Sequence, residues 1–195
     1  MANYEKLIPH ILKWERSVIA KGRTNEELFE EARNKGIKID AYDSGGATMC
    51  GITLNAYKDY CRRKGYPVPT VERLANINFS EWSNVLKQMF WDKWKADEIN
   101  SQSVAEVLVD WTWCSDSYGI KIPQSKLGVT IDGIVGEKTL CALNALCDKD
   151  GAKNVFDMLV RERIEYIKRI CKSKPENKRF KDGWLNRASD MKFKS

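Results

Sequence analysis

The hydrophobic positions along this chain recur almost everywhere at helical spacing. From about Tyr4 to Ala20 the apolar residues are Leu7, Ile8, Ile11, Leu12, Val18 and Ile19. Glu15 lies three residues after Leu12, four after Ile11 and seven after Ile8, so it projects from the apolar face. Thr24-Asn25-Glu26-Glu27 is a capping-box pattern and opens a charged helix ending near Gly36. Tyr42 to Gly51 is rich in small residues and reads as a loop. Thr53 to Lys64 reads as a helix stopped by Gly65, and Pro67 and Pro69 then impose an extended linker.

Further along, Ser80 is the expected cap of a helix running to about Trp94. Ser103 is the expected cap of another, which turns Val104, Val107, Leu108 and Trp111 inward. Helices are predicted over roughly 122–127, 137–146 and 153–171, with a turn at Asp132-Gly133-Ile134-Val135-Gly136. Residues 174–178 are polar and loose. A short closing helix carries Phe180, Trp184 and Leu185. No alternating series is long enough for a sheet core, although a small β-hairpin fits near residues 40–53. The pattern predicts a mainly α protein.

The 195 residues suffice for one domain, or for one with a helical annex, and for a core without staples. The net charge of +6 is spread along the chain. Nucleic-acid binders concentrate their basic residues in a patch or stripe, so that class is set aside. The densest basic stretch, Lys168 to Lys194, is interrupted by acids. It reads as a solvated helical face or as an attraction to an anionic polymer such as a bacterial cell wall. The six cysteines include no CxxC pair, and His10 is the single histidine. A zinc site and a Cys-His or Ser-His protease therefore have no support. No cofactor and no metal are expected. Met1 to Lys6 lacks the apolar region of a secretory signal, and no run reaches transmembrane length. The expectation is a cytosolically made monomer with buried free thiols and no stable membrane insertion.

The chemistry concentrates in Trp14-Glu15 and in Asp43-Ser44-Gly45-Gly46-Ala47-Thr48, followed by Gly51-Ile52-Thr53. A carboxyl on an apolar helix face suits a general acid, because desolvation keeps it protonated. A core ion pair would explain the same pattern. Asp43 is a candidate to orient water or to stabilise an oxocarbenium-like transition state, or simply a turn former. Thr48 could hold that water, or serve as a loop hydroxyl. Gly45 and Gly46 allow a tight turn and a close backbone approach. Trp91, Trp94 and Asp110 are substrate-contact candidates that are equally explained as core residues.

These motifs resemble glycoside hydrolase family 108, whose pattern is Trp-Glu-Gly-Gly and then Asp-x-Gly-Gly-x-Thr-x-x-Gly-Ile-Thr. Phe90-Trp91-Asp92-Lys93-Trp94, Asp110, Gln124, Asp132 to Gly136 with Thr139-Leu140, and Gly183-Trp184-Leu185-Asn186-Arg187 extend the resemblance in order. The resemblance implies a lysozyme-like helical lobe over residues 1–100. A helical peptidoglycan-associated region over 101–195 follows it, or the two form one continuous domain. It implies hydrolysis of the β-1,4 bond between N-acetylmuramic acid and N-acetylglucosamine, with Glu15 as acid and peptidoglycan glycan strands as partner. It places action at the cell wall after release or holin-type export, as in a prophage lysis enzyme. Two departures stand out. Arg16 and Ser17 replace the family's glycines, and residues 18–42 form a longer linker with an added helix. They favour the rival reading, a non-catalytic wall-binding or phage or secretion-device structural protein on the same scaffold.

Overall fold

The computed structural model describes residues 2–39 and 46–194. It divides into two compact units, Tyr4–Asp92 and Lys93–Ser195 with the first three residues.

The N-terminal unit begins with α1 (Ile8–Arg16), whose Ile8, Ile11 and Leu12 are wholly buried. The helix stops four residues short of the periodicity's limit. Ser17 takes the left-handed conformation (φ 54°), and its N–H donates to the Lys13 carbonyl at 2.8 Å. Val18 is buried beyond the helix end while Ile19 is 58% exposed, so the apolar spacing ran past the true stop. Helix α2 (Asn25–Asn34) is capped as its sequence predicts. Glu27 N donates to Thr24 Oγ1 at 3.2 Å and Thr24 N to Glu27 Oε2 at 2.7 Å. Its Leu28, Phe29 and Ala32 are buried against the rest of the unit.

Strands β1 (Lys38–Ile39), β2 (Ala47–Met49) and β3 (Ile52–Thr53) form an antiparallel sheet in that order. Lys38 faces Thr48, Thr48 faces Thr53, and Met49 faces Ile52. Cys50 (φ 47°) and Gly51 (φ 84°) make the two-residue turn between β2 and β3, with positive φ at both central positions, as tight hairpins prefer. Helix α3 (Leu54–Lys64) is capped by Thr53 Oγ1 and ends at Gly65, φ 69°. A short α4 (Val71–Ala75), capped by Thr70, follows the proline linker. Helix α5 (Phe79–Leu86) is capped by Asn78, whose Oδ1 accepts from Glu81 N at 2.8 Å, and not by Ser80. A π turn carries it on through Lys87–Trp91. Trp82 is at the centre of this unit. Its ring packs 5.4 Å from Phe29, and its Nε1 donates to the Cys50 carbonyl at 3.1 Å, anchoring the hairpin turn.

The C-terminal unit is built on α6 (Gln102–Ser115), buried from Ser103 through Thr112. Its cap is Ser101 rather than Ser103, which lies inside the helix and accepts from Lys194 N at 2.9 Å. Helix α7 (Tyr118–Leu127) begins four residues before its predicted start and accommodates Pro123. Helix α8 (Glu137–Asp150), the long α9 (Ala152–Ser173) and α10 (Lys181–Asp190) complete the bundle. A 3-10 turn occupies Pro175–Phe180, covering most of the stretch 174–178 expected to be loose and taking in Phe180 ahead of the closing helix. At the close approach of α6 and α7, Gly119 has no room for a side chain. A Cβ there would lie 2.5 Å from the Thr112 nitrogen. Among the described residues no helix is long and apolar enough to cross a membrane.

Candidate active site at the end of the first helix

Glu15 is in the last turn of α1 and is half-buried. The four final carbonyls of any helix lack intrahelical partners, and here two lysines from the segment after α2 supply them. Lys38 Nζ donates to the Glu15 carbonyl at 3.2 Å, and Lys35 Nζ donates to the Arg16 carbonyl at 2.6 Å. Arg16 returns the interaction. Its side chain is 6% exposed. Nε donates to the Ala32 carbonyl at 3.1 Å, and Nη2 donates to the Gly36 carbonyl. Each helix thus has its C-terminus capped by cations from the other segment, a placement that the helix dipole also favours.

The two departures from the family pattern now have physical accounts. Ser17 adopts a left-handed backbone conformation (φ 54°) that suits glycine, so the second substitution places a serine where glycine is at ease. The family's first glycine is replaced by an arginine that fastens the added helix. Residues 18–39 therefore contribute packing, through Leu28, Phe29 and Ala32, and hold the end of α1 that carries Glu15.

Lys38 also connects Glu15 with Thr48. Cross-strand partners share a face of a sheet, so Thr48, half-buried, lies beside the lysine that caps the Glu15 carbonyl. Gly46 has φ 68°, a conformation that suits glycine. Asp43 and Gly45 lie outside the described residues. Trp14, half-buried beside Glu15, has the Lys13 ammonium 5.6 Å from its ring centroid. Cys50 is buried, and that burial pushes its thiol up to about 12.

Lys38 was not singled out by the sequence. A two-residue strand gives no periodic signal, and only the pairing places it. The expected glycan contacts are placed differently. Trp91, Trp94 and Asp110 are each 0% exposed. Trp94 Nε1 donates to Thr112 Oγ1 at 2.8 Å, and Asp110 is held between two arginines. None has a surface to offer a sugar, so these three are core residues. Among the described residues no cluster of three or more His, Cys, Asp or Glu side chains is arranged to hold a metal.

Residues 30–115 match the family model for glycosyl hydrolase 108, and residues 118–189 match a predicted peptidoglycan domain. The first match begins after Glu15. A solved structure of Brucella abortus SagA is 24% identical, with a TM-score of 0.64, and the alignment covers 85% of this chain and 91% of that one. That likeness carries the fold. Comparison with curated proteins returns no match. The order and spacing of the two matched regions agree with the resemblance read from the motifs, and together they point to a peptidoglycan-directed glycoside hydrolase. The chain carries a glycosyl hydrolase 108 region followed by a predicted peptidoglycan domain.

Proposed function

We propose that this protein is an N-acetylmuramidase that cuts the β-1,4 bond between N-acetylmuramic acid and N-acetylglucosamine, with Glu15 as proton donor. The observation that carries the reading is the reciprocal capping at the end of α1. Two lysines and an arginine hold the backbone that bears Glu15, and the arginine's charge is spent on α2. A general acid needs a fixed position and an environment that keeps its proton until the leaving oxygen takes it. The capping and the half-burial next to Trp14 support the fixed position.

In this reading Glu15 protonates the glycosidic oxygen as the bond to the anomeric carbon lengthens. Thr48, paired across the sheet with the lysine that caps the Glu15 carbonyl, positions the attacking water. Asp43 is assigned to activate that water or to stabilise the positive charge on the sugar. The predicted peptidoglycan domain keeps the enzyme on the wall, and its basic α9–α10 face suits an anionic polymer.

The test is clearance of purified cell walls by wild type and Glu15→Gln, with mass spectrometry of the products. Loss of a general acid typically costs 10²–10⁴-fold, so clearing should fall by about a hundredfold or more. The wild-type products should end in reducing muramic acid. Equal clearing by both proteins removes Glu15 from the mechanism. Wall binding without clearing by wild type establishes the non-catalytic reading, which the start of the family match beyond Glu15 favours.

A further inference from the structure

We infer that the C-terminal unit holds a second recognition site, a pocket for a free carboxylate on a short aliphatic arm, the group that ends or branches peptidoglycan stem peptides. The inference rests on peptidoglycan as the substrate and specifies which part of it this unit grips.

The pocket has a volume of about 90 Å³ and opens between the end of α6, α9 and α10. Ile167, Ile170, Trp184 and Tyr166 form its apolar wall, and Arg163 and Arg187 complete the lining. No acid lines it among the described residues. Both arginines are more than nine-tenths buried, at 2% and 7% exposure. Asp110 stands behind them. Its Oδ2 accepts from Arg163 Nη1 at 2.7 Å, and its Oδ1 accepts from Arg187 Nη2 at 2.7 Å and from Nε at 3.2 Å. Asp110 is thus a positioning residue that sets two guanidinium forks side by side.

Arg163 is the informative member. Among the described residues its oxygen acceptor is Asp110, and its other hydrogen-bond contacts are to sulfur. Nη2 reaches Cys114 Sγ at 3.3 Å, and Nη1 reaches Met191 Sδ at 3.8 Å. Thiol and thioether sulfurs are weak acceptors, and a buried guanidinium is costly unless well partnered. A planar carboxylate is the acceptor that matches its fork. Asp190, one helical turn beyond Arg187 on α10, lies outside the pocket lining.

The volume decides what else enters. Pockets that enclose a whole small molecule run to about 300 Å³ or more, so this one admits an end group and not a sugar ring. The isoleucines and the indole favour methyl or methylene groups next to the charge, which excludes a bare inorganic anion as the best fit. Two sources in peptidoglycan carry that chemistry, a chain-terminal D-alanine and the side arm of a diamino acid.

The 195-residue chain should be titrated by NMR or calorimetry with N-acetyl-D-alanyl-D-alanine, with its C-terminal amide, and with free diaminopimelic acid. The acid dipeptide should bind at least tenfold more tightly than the amide. The stronger of the dipeptide and the diamino acid identifies the source. Ser115→Phe, which adds a ring to the pocket lining, should abolish binding while far-UV circular dichroism stays unchanged and unfolding stays cooperative. If that variant does not fold, Ile170→Phe takes its place. Acid and amide binding within twofold of each other, no binding at millimolar ligand, or full affinity in the filled variant each overturns the site. Cleavage of glycan strands stripped of their stems, measured in parallel, reports on the glycosidase reading alone, so the two can fail separately.

Discussion

Arg16→Ala isolates what the arginine after Glu15 contributes. The guanidinium donates to two carbonyls at the end of α2 and is almost fully buried. Hydrogen bonds from a charged donor contribute about 1.5–3 kcal/mol each, and removing the donor leaves buried carbonyls unsatisfied. Release of the side chain's rotamer freedom returns about 2 kcal/mol. The net expectation is a loss of about 1–4 kcal/mol, read as a lower urea midpoint at unchanged slope. Arg16→Lys should recover less than half of it, because one ammonium cannot match the planar fork that serves both carbonyls. Hydrogen exchange should locate the change, with amides of α2 and the last turn of α1 losing protection while α8 and α9 keep theirs. A loss under about 0.5 kcal/mol, or faster exchange spread evenly over both units, would refute the idea that Arg16 is the clasp of the added helix.

Two further substitutions test the backbone argument. Ser17→Gly restores the residue that the left-handed φ of 54° favours and should raise stability by about 0.5–1 kcal/mol, since a non-glycine residue pays about 1–2 kcal/mol there; a destabilised variant in the same urea titration would show that the serine side chain matters more than its backbone. Gly119→Ala places a Cβ against the Thr112 and Trp111 backbone, at 2.5–2.7 Å, where neither helix can yield by a rotamer change. It should cost about 3 kcal/mol or more, lowering the melting temperature by roughly 6–12 °C, and an unchanged melting temperature would contradict the close approach of α6 and α7.

The helical class, most helix cores and several ends were legible in the residues because they depend on local chemistry. The Thr24-to-Glu27 box, the stop at Gly65 and the Asp132 turn each act within a few residues of chain. In that turn Asp132 Oδ1 accepts from Ile134 N at 2.8 Å, and buried Gln124 reaches it from α7. Caps were displaced by two residues where polar side chains cluster. Asn78 and Ser101 are as able as Ser80 and Ser103, and the choice falls to whichever position lets the apolar face meet its neighbours. The start of α7 was missed because Tyr118-Gly119 looks like a turn. The glycine is there for close packing.

The sequence by itself determined the helical class, the carboxyl on an apolar stripe and the resemblance to a hydrolase family, because periodicity and motif spacing are properties of neighbouring residues. The tertiary structure decided what those side chains face. It sent Arg16 into α2, put Lys38 beside Thr48 and onto the Glu15 backbone, withdrew Trp91, Trp94 and Asp110 from solvent, and aligned Arg163 with Arg187 along a small pocket. Each of these outcomes pairs groups many residues apart, from 16 between Arg16 and Ala32 to 77 between Asp110 and Arg187. Burial and partner choice depend on where the whole chain comes to rest, and local pattern carries no record of that.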